Sequence, residues 1–225
     1  MKTTYQIYPL KVGFFNFKNY TYIIVDKETR SAAIVDPSWE VEIIVNVLSK
    51  LEVELSTILL THSHYDHVNM VDALIMKYNP MVYMSYIEAN YYRFKCKNLI
   101  TIDDMDLVSV GQTEIRCLAT PGHTAGGSCY LLKGSLFTGD TIFIEGCGIC
   151  TGKGASAEDM FESIQKIKSI VRPDVRIYPG HSYGKKPGYS MEYLMKENIY
   201  LHINDKKHFI EFRNRKNQKN LFIFK

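Results

Sequence analysis

An α/β layered fold is the first expectation for this chain, and three features carry it. Short runs rich in β-branched and aromatic residues, such as "TYIIVD", "SAAIVD" and "STILLTH", alternate with amphipathic segments of helical period. Turn chemistry separates them, as in "DKETR" between the first two runs and in the Pro-Gly pairs of "TPGH" and "YPGH". Polar residues of chemical interest sit directly after apolar runs, where the strands of a layered fold end.

The elements follow in order. "DPSWEVEIIVNVLSKLEVE" places Val41, Ile44, Val45 and Leu48 at helical spacing, with Ser38 as the candidate N-cap. A strand over 55–60 precedes the amphipathic segment "VNMVDALIMKYN". A strand "MVYMS" and a helix "YIEANYYRFK" complete the first half. In the second half "TEIRCLAT" and "SCYLLKGSLFTGD" read as strands. "SAEDMFESIQKIKSIV" reads as a helix capped by Ser156, with Glu158 and Asp159 in its first turn. "DVRIYPGH" is the last strand. The expected division is one domain over 1–185 and a short basic extension over 186–225 packed on it.

A composition of 46% hydrophobic and 23% charged residues suits a sizeable core. No apolar run reaches the roughly 20 residues of a membrane helix, so no membrane is expected. "MKTTYQIYPLKVGFF" has neither an apolar h-region nor a small-residue cleavage site, which points to the cytoplasm. Five cysteines, an odd number, do not form a secreted disulfide framework. Cys147 and Cys150 form a lone CxxC, read as small side chains in a glycine-rich loop. Net charge is +3, but residues 185–225 hold ten basic and four acidic groups, leaving the first 184 residues at −3. That overall charge is too small for a nucleic-acid partner. The basic tail, with Lys206, Lys207, Arg213 and Arg215, suits an acidic protein partner instead.

The chemistry starts at "THSHYDH". His62, His64, Asp66 and His67 fall within six positions in a chain with seven histidines. Imidazole and carboxylate suit zinc and other borderline divalent cations. His123 in "TPGHTAGG", Asp140 in "FTGDTI" and His181 in "YPGHSYG" each end another apolar run beside glycine. Together these are five histidines and two aspartates, enough for two metal ions.

Taken in order, H-x-H-x-D-H, PGHT, TGD and PGH resemble the metallo-β-lactamase fold superfamily across residues 10–185. The resemblance implies a four-layered αββα sandwich with a metal site at one edge between two sheets. It assigns His62, His64, His123 and Asp140 to a first zinc and Asp66, His67, Asp140 and His181 to a second. Iron or manganese is compatible with the same donors. Asp66 is the expected catalytic carboxylate, orienting hydroxide generated between the cations. Asp36 in "IVDP" matches an aspartate that orients a ligand imidazole from behind.

"FIEGCGICTGKGASAEDMFESIQKI" is similar to the segment that follows the bridging aspartate in hydroxyacylglutathione hydrolases, which implies thioester hydrolysis. Tyr183 matches a tyrosine that contacts the thiol carrier in that branch. Ile149 stands where that branch has a basic residue, and both are candidate substrate contacts. Length and short tail most resemble the zinc-dependent hydrolases encoded with trans-acyltransferase polyketide synthases of the bacillaene type. That likeness implies an acyl thioester substrate, free or held on an acyl carrier protein that the basic tail would dock. The alternatives are a hydroxyacylglutathione hydrolase and a persulfide dioxygenase with iron at His62, His123 and Asp140.

Overall fold

The computed structural model describes residues 3–182 and 184–216. Strand β1 (Tyr5–Phe14) turns through Phe15 and Asn16 into β2 (Phe17–Asp26), and β3 (Ser31–Val35) follows across the expected turn. These three are antiparallel. Strands β4 (Glu54–Leu59), β5 (Met81–Ser85) and β6 (Leu99–Ile102) then add in sequence order, each parallel to its predecessor. Parallel neighbours require a crossover. Helices α1 (Val41–Leu51), α3 (Val71–Tyr78) and α4 (Tyr86–Tyr92) lie in the three connections, with the single turn α2 (Tyr65–Val68) before α3.

The second sheet is a meander of β7 (Leu107–Val110), β8 (Thr113–Ala119), β9 (Ser128–Leu132) and β10 (Ser135–Gly139). A small hairpin, β11 (Ile142–Phe143) and β12 (Gly146–Cys147), precedes α5 (Ala157–Ile170). Strand β13 (Arg176–Pro179) returns parallel to β10, and β14 (Tyr189–Ser190) pairs on its far edge. The last described elements are α6 (Met191–Glu197), α7 (Ile199–His202) and α8 (Lys206–Arg213).

Period-two alternation assigns each strand's faces to different cores. Ile23, Val25, Ala32 and Ile34 face Ile44, Leu48, Leu74 and Ile75 of α1 and α3. Tyr22, Ile24, Ala33 and Val35 face inward with Ile115, Tyr130 and Phe137 of the second sheet. Leu118, Cys129 and Leu136, on that sheet's outer face, pack with Met160, Ile164 and Ile167 of α5. The layers therefore run helix, sheet, sheet, helix. Among the described residues, no helix is long and apolar enough to cross a membrane.

Several details differ from the expectations. Ser38 does not cap α1: Trp39 adopts a left-handed φ of 60°, so the helix starts later, after Glu40 and without a side-chain cap. Ser156 does cap α5, accepting from the Asp159 N–H at 3.1 Å. The described residues after 185 pack on the preceding part, with β14 pairing along β13 at the edge of the second sheet. Phe209 of α8 is fully buried, with its ring 5.5 Å from that of Phe161 in α5. Burying such a ring contributes on the order of 1.5–3 kcal/mol.

Within the described part of the basic tail, two cations, Lys206 and Arg213, are already engaged. Lys206 is ion-paired with Glu158 and Glu162 of α5. Arg213 is buried, donating to the Tyr200 hydroxyl at 2.6 Å. All five cysteines are free thiols, and burial raises the pKa of both Cys147 and Cys150. Cys147 belongs to the core and Cys150 packs against it, so the lone CxxC consists of packed side chains.

Candidate metal centre

Strand ends gather the polar motifs. Asp36 follows β3, the segment 61–67 follows β4, His123 follows β8, Asp140 follows β10 and His181 follows β13. Because β3 and β4 are parallel, as are β10 and β13, these ends meet at one edge of the sandwich. His62, His64 and His123 offer nitrogens within 4.8 Å of one another, and Asp66, His67 and His181 form a second such group. Asp140 touches both: Oδ2 is 3.7 Å from His123 Nε2 and 3.5 Å from His181 Nε2, while Oδ1 is 3.5 Å from His67 Nε2.

Hydrogen bonds on the outer nitrogens decide which lone pairs face inward. His123 Nδ1–H donates to the Ile149 carbonyl at 2.8 Å, and His181 Nδ1–H to the Lys18 carbonyl at 2.7 Å. A carbonyl can only accept, so in the neutral ring the lone pair lies on Nε2, the nitrogen that faces the cluster. His67 Nδ1 lies 3.0 Å from Asp36 Oδ2. The Thr61 hydroxyl gives its proton to the same carboxylate at 2.6 Å and so accepts from His62 Nδ1 at 3.0 Å. Asp36, which also accepts from the Thr61 N–H, is thereby committed to holding His62 and His67 rather than to a metal.

The donor set fits a pair of divalent cations. His64 Nδ1 and His123 Nε2 face each other at 3.0 Å, and His67 Nε2 faces His181 Nε2 at 3.3 Å. His62 Nε2 and Asp140 Oδ1 are buried and make no hydrogen bond. Buried polar atoms are rarely left so, and a cation would satisfy them all. The titration pattern agrees. Burial, reinforced by the other imidazoles, holds His62 well below the ordinary histidine pKa. Burial would also lower His67, but Asp66, Asp140 and Asp36 outweigh it and raise its pKa. The same contest, with Asp140 and Asp66 prevailing, raises His181. Asp66 is lowered, because His67 and His181 outweigh its burial. A cation would take the place of the protons these carboxylates now attract.

Two glycines let the backbone close on this cluster. A Cβ on Gly180 would meet His67 Cε1 at 2.6 Å and Asp140 Oδ1 at 2.7 Å. One on Gly148 would fall 2.0 Å from the Asp140 carbonyl oxygen. Ile149, expected at the substrate, has a half-buried side chain, and its backbone carbonyl accepts from His123. Tyr183 lies outside the described residues. A cleft of about 520 Å³, lined by Thr113, Arg116, Lys133 and Arg172 at the opposite end of the second sheet, shares no residue with the clusters.

Three residues around the centre escaped sequence reasoning. Glu88 is fully buried, and its carboxylate accepts from the Ser63 N–H and hydroxyl at 2.8 and 2.7 Å and from the Gly126 N–H at 2.9 Å. It ties the loop of His62 and His64 to that of His123. Asn19, in β2, donates to Asp66, and Trp39, between β3 and α1, donates in turn to Asn19. None had a signal in the sequence beyond being polar or aromatic.

Comparison with known proteins agrees with this geometry. Residues 16–181 match the model of the family described as the metallo-beta-lactamase superfamily. The chain is 56% identical over its full length, and over all of the relative, to a Bacillus subtilis protein described as "Probable polyketide biosynthesis zinc-dependent hydrolase PksB". It is 32% identical to a Schizosaccharomyces pombe protein described as "Probable hydroxyacylglutathione hydrolase SPCC13B11.03c", over 81% of this chain and 71% of that one. The crystal structure of ETHE1 from Myxococcus xanthus superposes with a TM-score of 0.84 at 27% identity, covering 96% of this chain and 94% of the other. With its two histidine–aspartate clusters joined through Asp140, the chain belongs to the metallo-beta-lactamase superfamily.

Proposed function

We propose that this protein is a zinc-dependent hydrolase of acyl thioesters in polyketide biosynthesis. The observation that carries the reading is the placement of Asp140 between two groups of inward-facing imidazoles. His62, His64, His123 and Asp140 would hold one zinc; Asp66, His67, His181 and Asp140 would hold the other. Bound there, zinc supplies Lewis-acid polarisation of the thioester carbonyl, a lowered pKa for water and affinity for a sulfur leaving group.

The side chains divide the remaining work. Asp66 is the more open carboxylate, with a quarter of its side chain exposed against 11% for Asp140. It can therefore orient an incoming water and accept its hydrogen bond. Asp36 and the Ile149 and Lys18 carbonyls engage Nδ1 of His67, His123 and His181 and so turn Nε2 of each ring towards the cluster. Gly148 and Gly180 keep the backbone close enough for this arrangement.

The full-length similarity to a polyketide hydrolase favours a carrier-bound acyl group over a glutathione thioester. Lys206 is ion-paired with α5, Arg213 is buried, and Arg215 donates to the Tyr200 hydroxyl, so of these four cations the exposed Lys207 is the one offered for steering an acidic carrier. The test is one acyl group presented on glutathione and on a phosphopantetheinyl carrier protein. We expect kcat/KM for the carrier to exceed that for glutathione by at least about tenfold, equivalent to ~1.4 kcal/mol. The reverse preference would assign the chain to the hydroxyacylglutathione hydrolases. Persulfide-dependent oxygen uptake by the iron-loaded protein, without thioester hydrolysis, would assign it to the dioxygenases.

A further inference from the structure

We infer that Asn19 is a positioning residue for Asp66 and that the Trp39 indole sets which way its amide faces. The inference rests on the proposed role of Asp66 and extends it to two residues outside the metal cluster. Asn19 is 1% exposed, and both ends of its amide are engaged. Its Nδ2 donates to Asp66 Oδ2 at 3.1 Å and to the Asp66 carbonyl at 2.8 Å. Its Oδ1 accepts from Trp39 Nε1 at 2.7 Å.

The direction of this chain is set by chemistry. An indole nitrogen is a donor only, so the amide oxygen must face Trp39 and the NH₂ group must face Asp66. Asp66 Oδ2 is the same oxygen that lies 3.4 Å from His181 Nε2 and 3.7 Å from His67 Nε2. Asn19 thus fixes, with a neutral donor, the oxygen that faces the second group of imidazoles. It holds the carboxylate without competing for that site as a cation would.

Trp39 is built to stay in place. It occupies the left-handed region at φ 60°, unfavourable for a bulky side chain. Its own N–H donates to Asn69 Oδ1 at 2.8 Å, so it grips α2 from the C-terminal side while its indole reaches Asp66 through Asn19. The ring stacks on Phe14 at 5.9 Å and meets Tyr65 edge-on at 6.0 Å. Phe14, from the β1–β2 hairpin, and Tyr65, from α2, are both exposed. An aromatic cap outside the metal centre therefore holds the donor that orients a carboxylate inside it.

The experiment compares Asn19→Leu, Trp39→Phe and, as a control, Asp66→Asn. Each is assayed for kcat and KM on a small acyl thioester and for zinc binding by calorimetric titration of the chelator-stripped protein. Asn19→Leu should lower kcat by about 10–100-fold, the usual effect of removing a partner that orients a metal ligand, with KM unchanged. The weaker of the two zinc-binding steps should weaken as well. Trp39→Phe keeps the packing face but frees the amide to turn over, and should move both quantities the same way by less. It also preserves the test if Asn19→Leu fails to fold. Wild-type kcat and zinc binding in Trp39→Phe and in folded Asn19→Leu, with Asp66→Asn impaired, would overturn the inference alone. Full activity of Asp66→Asn would overturn the role of Asp66 and the inference with it.

Discussion

An Asp140→Asn variant is expected to lose hydrolysis while keeping the fold. The substitution preserves shape but removes the one negative charge that faces both imidazole groups, at 3.5 Å from His67 and His181 and 3.7 Å from His123. Residues that merely orient a metal ligand cost about 10–100-fold when removed, so loss of a carboxylate shared by both groups should cost at least about a hundredfold in kcat. Bound metal, measured by atomic emission, should fall with it. His62→Ala should behave alike through the first group, because its buried Nε2 has no hydrogen bond to lose. A variant with wild-type metal content and wild-type turnover would refute the assignment of the site.

The second large effect is on stability, at Glu88. Its carboxylate is the common acceptor for three donors from two loops. Each buried donor left without a partner costs about 1–3 kcal/mol, so Glu88→Ala should destabilise the protein by roughly 3 kcal/mol or more. Glu88 also lies in the first turn of α4, where a negative charge is favoured. Denaturant unfolding with an unchanged m-value measures the loss directly. Because Ser63 lies between His62 and His64 and Gly126 follows His123, turnover should fall as well. An alanine variant as stable as the wild type would show that water replaces the carboxylate without penalty.

These two predictions mark what the sequence could and could not reveal. The strands that alternate cleanly between two cores, such as "TYIIVD" and "SAAIVD", were legible because burial imposes a period of two. Strand β1 was not, because Pro9 and Gly13 interrupt its pattern and it lies at a sheet edge, where neither is penalised. The metal donors were legible because each follows an apolar run in a compact motif. Their supports were not. The Ile149 and Lys18 carbonyls act through backbone atoms, which leave no trace in residue type. Asn19, Trp39 and Glu88 act across 20 or more positions, a range at which spacing says nothing about contact. A charge count over the tail likewise cannot register that Lys206 meets Glu158 or that Arg213 turns inward. Ser38 failed as a cap for a local reason: Trp39 beside it is committed to the left-handed turn that reaches Asn19 and Asn69.

The most direct test of a hydrolytic two-metal centre is a zinc titration of the chelator-stripped wild-type protein, followed by calorimetry and by thioester hydrolysis on the same samples. Two binding steps, saturating at about two zinc ions per chain with hydrolysis regained as the second is filled, are the predicted result. Hydrolysis by the metal-free protein, or full hydrolysis with a single zinc and no second binding step, would contradict the account.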